Sequence, residues 1–554
     1  MPQIFLDGAL LTLREWQRKS GDELVNLISS RKPPAVILNE PPGSGKTVTV
    51  LYALASLMQR GESAVVLVPN VPIISMWTKY RVVADDGSEI PVVGIYGKQR
   101  FVCWLNTELR ADSPQAVCNF RTSTGEKISK CRFYAPTTHT PTPPLQPLGS
   151  YSTFGGGKLY VNINVGGACD YYRQFQLYLS PGIYVMTYEK FLIEMAVGRL
   201  PKFKYLVLDE VETAFEQMLV RVDVTPDLVR EILNYLKGAD FSVYEQADAL
   251  IRDIERGAPI SISVFSQLIR VATERGYQPP YGLRLAENGR QLGRRGHVVL
   301  YEMYFFKAVR MATALGAFII GLTGTPLAES DVSMLFPKAP VVSNRRRALG
   351  RYYVYLDGQI PVKGVWFKHP KAFRQEVEGV CRRTRELIEL ARSMRLPVFV
   401  PVVSYSVVRE CGLDKTYGVD EDGSHIEQFA NGERDVLVSA RASRGVHFPH
   451  RRIAVVIPKY PFPDVSDPLV SYLLTTRYKD YITLGAKAVL YQILGRNVTS
   501  DENEVLVLTP DSRVVEEVLS LKRSLEIDIV EVRGRDVERV LGAGELREGV
   551  KEDK

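Results

Sequence analysis

Short apolar runs alternate along the chain with longer stretches in which apolar residues recur at helical spacing. The runs have the length and the β-branched composition of strands that are buried on both faces of a parallel sheet. They form two sets, before and after about residue 344: Ala35–Asn39, Ala64–Val68, Ile183–Thr187, Tyr205–Leu208 and Phe318–Leu322, and then Tyr352–Leu356, Val398–Val402, Val436–Ser439, Ile453–Ile457 and Val505–Leu508. The pattern predicts an α/β protein with two domains.

Two segments interrupt the first set of strands. Residues 97–169 show no sustained period and include a Pro- and Thr-rich stretch. Residues 215–311 are charged, and apolar residues recur at helical spacing in Pro226–Leu236 and Tyr244–Arg256, which predicts a helical insertion. The predicted organisation is a first domain of residues 1–96, 170–214 and 312–343 that carries both insertions, a second domain of residues 344–541, and a charged tail of residues 542–554.

Composition and charge narrow the choice of partners and compartment. Among 554 residues, 45% are hydrophobic and 24% are charged, which is ordinary for a globular protein. The net charge of +7 favours a polyanionic partner such as nucleic acid. The chain lacks an apolar run of roughly 20 residues and a signal peptide, so we expect a cytoplasmic protein without a membrane partner. In that compartment the six cysteines are expected to remain thiols rather than form disulfides.

The clearest chemical signal follows the first predicted strand. Gly43, Ser44, Gly45, Lys46 and Thr47 form a glycine-rich turn that leads into a helical stretch. Backbone N–H groups of such a turn and the positive end of the helix converge on a phosphate. Lys46 is predicted to reach the β- and γ-phosphates of ATP, and Thr47 to hold Mg²⁺. An ordinary glycine-rich loop is the alternative, since Glu40 stands where the general motif has its first glycine.

An acidic pair ends the strand at residues 205–208. Asp209 is predicted to coordinate Mg²⁺, and Glu210 to orient or deprotonate the attacking water. Two solvated acids at a strand end are the alternative, but the preceding Lys46–Thr47 turn favours the catalytic interpretation. Upstream, the amide of Gln17 could read the adenine edge of the nucleotide, although a surface glutamine on a first helix is commoner.

Four of the six cysteines lie in or at the end of the first insertion. Cys103, Cys118, Cys131 and Cys169 could supply thiolates to a tetrahedral zinc ion or to an iron–sulfur cluster. The absence of a Cys-x₂-Cys pair makes zinc the lesser choice. The alternative is four unrelated thiols.

The second domain contributes a candidate arginine. The stretch from Gln492 to Arg496 follows the helix predicted at Tyr481–Tyr491. An arginine that reaches the γ-phosphate from a second domain stabilises the charge of the transition state.

The order of these motifs resembles that of superfamily 2 iron–sulfur helicases of the XPD and DinG type. Lys98–Cys103 and Cys169–Tyr172 are similar to the segments around the first and last cluster ligands of that family. The insertion at 215–311 occupies the position of the arch, Ile457–Pro468 resembles the Pro-Phe-Pro segment, and Gln492-x-x-Gly495-Arg496 resembles the last motif.

The resemblance implies two RecA-like motor domains with a cysteine-rich and an arch-like insertion in the first. It further implies ATP and Mg²⁺ as ligands, a 4Fe–4S cluster on the four cysteines, and catalytic roles for Gln492 and Arg496. The implied activity is 5′→3′ translocation by a monomer on single-stranded or forked DNA, in DNA repair or processing with repair-protein partners.

Several residues depart from the family pattern. Glu212 stands in place of a histidine, Arg444 and His447 in place of acids, and Thr499 in place of a second arginine. The loss of that arginine motivates one alternative, a remodelling translocase that unwinds weakly and is recruited by a repair or CRISPR-type complex. The other alternative is a nucleic-acid-binding scaffold with a degenerate ATP site.

Overall fold

The computed structural model describes most of residues 2–539. The positions outside the description are 1, 31–33, 42, 114, 117, 119–130, 142, 276, 278, 280–281, 283–285, 287–288, 326, 328, 345–349, 361–369, 403–404, 421–423, 440–447, 466, 496–497, 499, 501, 525–526, 535, 538 and 540–554. Arg444, His447, Arg496, Thr499 and the predicted tail at 542–554 therefore lie outside the described residues.

A seven-stranded parallel sheet organises the first half of the described chain. Alternate residues of its strands enter two different hydrophobic layers, with Ile37 and Leu67 on one face and Val36 and Val66 on the other. Burial on both faces explains why the strands are almost wholly apolar. In spatial order the strands are Val341–Val342, Ala35–Asn39, Phe318–Thr323, Tyr205–Asp209, Ala64–Val68, Ile183–Thr187 and Val92–Gly94.

Helices cover both faces of this sheet, and a small antiparallel sheet flanks it. The N-termini of Val71–Trp77 and Tyr188–Ala196 are capped by the side chains of Asn70 and Thr187, which lie at the carboxyl ends of buried strands. The other helices of this part are Glu15–Ser29, Lys46–Leu57, Tyr304–Ala314 and Glu329–Leu335. The flanking strands are Ala9–Leu10, Gln3–Leu6, Tyr80–Val83 and Glu89–Ile90.

A second, six-stranded parallel sheet follows in the C-terminal half of the described residues. Its strands are Val436–Ser439, Val398–Pro401, Arg452–Val456, Glu504–Leu508, Arg351–Tyr355 and Asp528–Val532 in spatial order. The accompanying helices are Pro370–Ser393, Tyr405–Glu410, Leu413–Tyr417, Ser424–Ala430, Pro468–Leu474, Lys479–Leu494 and Ser512–Ser524. Two parallel α/β units confirm the predicted fold class, while the domain boundaries stated above remain predictions.

We predicted a helical insertion at residues 215–311, and the structure adds an antiparallel sheet to its helices. The sheet consists of Leu219–Val224, His297–Met303 and Arg290–Arg294, and the helix Phe241–Arg256 packs against it. The helices Pro226–Tyr235 and Ile262–Glu274 pack on that helix. The helices Pro226–Tyr235 and Phe241–Arg256 have the apolar stripes from which we predicted the insertion, and Ile262–Glu274, which we did not predict, has a similar stripe. The sequence did not predict these strands, because Leu219–Val224 and His297–Met303 lie near opposite ends of the segment. No local pattern indicates that two such distant strands pair.

The cysteine-rich insertion also contains strands that its irregular pattern did not predict. Val102–Cys103 pairs with Asn106–Arg110, and Gln146–Ser152 pairs with Lys158–Ile163. The short helix Asp170–Arg173 begins directly after Cys169 and leads the chain back to the first sheet. A search of the described helices found none with the length and apolar character needed to span a membrane.

One prediction about the cysteines is wrong. Cys381 and Cys411 form a disulfide, with a Cα–Cα distance of 4.7 Å and a separation of 30 residues. The bond joins the helix Pro370–Ser393 to the residue that follows the helix Tyr405–Glu410. An argument from cell compartment could not foresee this bond, because only the packing of the two helices brings these thiols together.

The disulfide should stabilise the second α/β unit measurably. Closing a loop of this length corresponds to about 3 kcal/mol of unfolding free energy. The double variant Cys381→Ala/Cys411→Ala should lose about that amount in denaturant unfolding, and reductant should destabilise the wild type but leave the variant unchanged. Thiol titration of the denatured, unreduced wild type should detect the four cysteines outside the disulfide, and six reactive thiols would contradict the bond.

Candidate functional site

The glycine-rich turn joins the strand Ala35–Asn39 to the helix Lys46–Leu57. Gly45 has φ of 89°, a left-handed conformation, and a Cβ there would lie 2.4 Å from Nε2 of Gln17. Glycine is therefore required at this position both for backbone conformation and for space. The turn keeps the backbone close to the start of the helix, where a phosphate would bind.

Gln17 lies on the first helix and bonds to this turn, so it is not a surface residue. Its amide nitrogen donates to the carbonyl oxygen of Ser44 at 3.0 Å, and its amide oxygen accepts the backbone N–H of Arg14 at 2.9 Å. The side chain is 7% exposed. The amide thus fixes the first helix to the phosphate-binding turn, and its predicted contact with adenine remains a prediction.

Lys46 is bonded within its own loop. Its ammonium donates to the carbonyl oxygens of Glu40 at 3.0 Å and Pro41 at 3.1 Å. Burial lowers the pKa of Lys46, while the nearby carboxylates of Asp209, Glu212, Glu40 and Glu210 oppose this shift. These acids therefore lie within electrostatic reach of the lysine, as predicted for a nucleotide site. Thr47 is the second residue of the helix.

The acidic turn lies two strands away from the phosphate-binding strand. Asp209 is in register with Leu322, and Leu322 is in register with Leu38, so the carboxyl ends of the three strands are level. Parallel strands place ligand-binding residues along this common edge. This register explains why residues more than 160 positions apart meet.

Asp209 is held by residues that we did not predict for this role. The indole N–H of Trp77 donates to its Oδ2 at 3.4 Å, and the hydroxyl of Tyr188 donates to its backbone carbonyl at 2.7 Å. Trp77 is 1% exposed, so it is a core residue. Burial, and then repulsion from Glu210, raises the pKa of Asp209 to about 6.

Glu210 has φ of 52°, which is strained for a residue other than glycine. Its Oε2 atom is buried and has no hydrogen-bond partner in the part of the chain that the structure describes, and the same is true of Oγ of Ser44. Buried polar atoms without partners are costly unless a ligand or water satisfies them. Their presence in the glycine-rich turn and in the acidic turn fits a nucleotide, Mg²⁺ and water at this edge.

Glu212 connects the acidic turn to the next strand. Its Oε1 accepts the hydroxyl hydrogen of Thr325 at 2.7 Å, and the N–H of Thr325 donates to the hydroxyl of Thr323 at 2.9 Å. Burial, and then repulsion from Glu210, raises the pKa of Glu212 to about 7.

The second α/β unit approaches the acidic turn through the helix Lys479–Leu494, which packs on Val211–Thr213. Tyr481 stacks on Phe215 with ring centroids 4.5 Å apart. Both polar atoms of the Gln492 amide are buried without a partner among the described residues, as expected for a group awaiting a ligand. Because Arg496 lies outside the description, its distance from Lys46 remains untested.

The four predicted cluster cysteines line one cavity. Cys103, Cys118 and Cys131 are buried together, and Cys169 is partly exposed. Burial raises the pKa of the Cys131 and Cys169 thiols, and Lys98 donates a hydrogen bond to Sγ of Cys118 at 3.3 Å.

No group of three or more Cys, His, Asp or Glu side chains in the described residues is arranged to hold a metal ion. The four thiols therefore share a cavity, and the metal or cluster predicted to bind them stays a prediction.

Comparisons with known proteins agree with this architecture. The family model "Type III restriction enzyme, res subunit" matches residues 10–96, which include the phosphate-binding turn. A solved structure titled XPD helicase has a TM-score of 0.62 at 15% identity, covering 95% of this chain and 100% of its own. The fold is that of XPD-type helicases.

Two further structures support the same fold. The S. tokodaii Xpd4 structure has a TM-score of 0.53 at 14% identity, and a structure titled XPD apo has 0.52 at 13% identity. Each covers 94% of this chain and 100% of its own. No curated protein matches the sequence significantly. The predicted resemblance to XPD-type helicases is thus confirmed at the level of the fold.

Glu212 should make stability depend on pH. Its folded pKa of about 7 exceeds the ordinary 4.5, so its contribution is fully present below pH 4.5 and is lost as the pH rises through 7. Glu212→Gln keeps an acceptor for Thr325 and removes the charge. In denaturant unfolding without Mg²⁺ or nucleotide, we expect the variant to be more stable than the wild type at pH 8 by up to about 3 kcal/mol, and to differ little at pH 4.5. An equal difference at both pH values would contradict the shifted pKa.

Proposed function

We propose that this protein is an ATP-driven motor that moves along single-stranded DNA. The observation that carries the proposal is the position of Lys46, in a phosphate-binding turn and within electrostatic reach of Asp209 and Glu210. The fold shared with XPD-type helicases supports a motor rather than a passive binding scaffold.

In this proposal the N–H groups of Gly43–Lys46 bind the β-phosphate of ATP. Lys46 exchanges the carbonyl oxygens of its loop for phosphate oxygens. Thr47 and Asp209 would hold Mg²⁺, which neutralises phosphate charge when bound. Asp209 must lose its proton for this, and its raised pKa predicts weaker Mg²⁺ binding below about pH 6.

Glu210 is proposed to orient the attacking water. Its strained backbone and unpartnered carboxylate oxygen support this role. Gln492 and Arg496 are proposed to complete the site from the second unit, with Arg496 stabilising negative charge on the γ-phosphate. Opening and closing of the two units would then convert hydrolysis into movement along the strand.

The cysteine cavity is proposed to hold a 4Fe–4S cluster on Cys103, Cys118, Cys131 and Cys169. When bound, the cluster would supply cross-links between segments of the insertion. Lys98 is positioned to stabilise a thiolate on Cys118 through its hydrogen bond. Movement with 5′→3′ polarity, action as a monomer and a role in DNA repair are proposed from the family resemblance.

Lys46→Ala should abolish ATP hydrolysis stimulated by single-stranded DNA, with a loss of at least about 100-fold in kcat, because the γ-phosphate loses its main cation. Phosphate release with and without single-stranded DNA is the measurement. Lys79→Ala is the matched control, since Lys79 is exposed and pairs only loosely with Asp7, at 3.9 Å. Unchanged turnover in Lys46→Ala would contradict the site.

The wild-type protein should separate duplexes that carry a 5′ tail and leave 3′-tailed duplexes intact. ATP hydrolysis without strand separation on either substrate would favour the remodelling translocase. Binding of DNA without ATP hydrolysis by the wild type would favour the scaffold.

Cluster binding can be tested separately from motor activity. Anaerobically purified protein should contain about four iron atoms per chain and show visible absorption, and Cys103→Ser/Cys118→Ser should lose both. The matched control is Cys381→Ser/Cys411→Ser, which should retain iron because its sulfurs lie in the disulfide of the second unit. Zinc in a colourless wild-type preparation would contradict the cluster.

A further inference from the structure

Glu40, which replaces the first glycine of the general phosphate-loop motif, is completely buried. Its Oε1 atom accepts two hydrogen bonds at 2.9 Å, one from the hydroxyl of Ser20 and one from the backbone N–H of Asn344. The Asn344 side chain adds bonds to Ser20 at 3.2 Å and to Glu23 at 2.9 Å. Three distant segments of the chain therefore meet at one carboxyl group.

Asn344 lies where the chain leaves the first sheet. It follows the edge strand Val341–Val342, and the first strand of the second sheet begins at Arg351. The hydrogen bond to Glu40 therefore fixes the first-sheet end of the connection between the two α/β units. A movement of one unit relative to the other must be accommodated beyond this bond or by breaking it.

The backbone of Glu40 faces the phosphate site. Its carbonyl oxygen accepts a bond from the Lys46 ammonium at 3.0 Å, and its N–H donates to the carbonyl of Thr323 at 3.1 Å. A phosphate that binds the ammonium competes with the Glu40 carbonyl for its N–H donors. One residue is thus bonded through its backbone to the phosphate-binding lysine and through its side chain to the inter-unit connection.

We propose that Glu40 is a positioning residue that couples phosphate binding at Lys46 to the connection at Asn344. The inference rests on the proposed function, because it assumes that the turn binds a nucleotide. Glycine, the usual residue here, has no side chain with which to make this link. A buried carboxylate oxygen with two donors holds its partners strongly, and loss of the acceptor leaves the Asn344 N–H buried without a partner.

The test compares two variants of similar length, Glu40→Gln and Glu40→Met. Glutamine retains an oxygen that can accept the Asn344 N–H, whereas methionine retains the volume but not the acceptor. The first readout is hydrogen exchange of the Asn344 amide, measured with and without a non-hydrolysable ATP analogue and Mg²⁺. The second readout is kcat and KM for ATP hydrolysis.

Without nucleotide, the Asn344 amide should exchange at least about tenfold faster in Glu40→Met than in the wild type, and within about threefold of it in Glu40→Gln. The analogue should change this exchange rate in the wild type and in Glu40→Gln but not in Glu40→Met. Glu40→Met should lower kcat about tenfold and leave KM within about threefold of the wild-type value. Nucleotide still binds to this variant but no longer moves the connection between the two units.

Glu23→Gln is the matched control, since Glu23 is exposed and accepts a hydrogen bond from the Asn344 side chain but not from the Asn344 backbone N–H, which bonds Glu40. It should leave both readouts unchanged. Wild-type protein that binds the analogue without any change in Asn344 exchange would overturn the coupling, even if Glu40→Met failed to fold. Wild-type protein that neither binds nor hydrolyses ATP would contradict the proposed function instead.

Discussion

The ammonium of Lys46 lies within electrostatic reach of four carboxyl groups at the edge of the first sheet, and the rest of the site depends on this arrangement. Burial disfavours the charge of the lysine, whereas Glu40, Asp209, Glu210 and Glu212 favour it. Without the lysine, three acids in one turn would repel one another in a poorly solvated place. The proposed triphosphate and magnesium ion would add charges of both signs at this edge.

Packing across the two units reaches the same acidic turn. Phe215, which follows the turn, stacks on Tyr481 of the helix Lys479–Leu494. On the next turn of that helix, a Cβ on Gly485 would lie 2.5 Å from the carboxylate of Glu216. The aromatic contact and this close approach bring the first half of the helix next to the acidic turn.

The cysteine cavity shows how an insertion with little regular structure can still be specific. Cys103 ends the first strand of a short hairpin and Cys118 follows that hairpin, while Cys131 and Cys169 come from segments further along. The aromatic rings of Trp104, Phe133 and Tyr172 line the cavity beside the thiols. Such an enclosure limits access of water to the sulfurs. The convergence of the four cysteines in one cavity is therefore stronger evidence for a shared role than their spacing in the sequence.

The sequence by itself determined the two sets of buried strands, the phosphate-binding turn and the acidic pair, because these depend on local composition and on residues that are neighbours along the chain. Only the tertiary structure decided that Trp77 and Tyr188 hold Asp209, that Cys381 bonds to Cys411, and that strands at opposite ends of the arch-like insertion pair. Glu40 shows the division most clearly: the motif marked it as a departure, but its partners Ser20 and Asn344 are 20 and 304 residues away. Contacts at such separations are set by strand order and helix packing, for which no local pattern carries a signal.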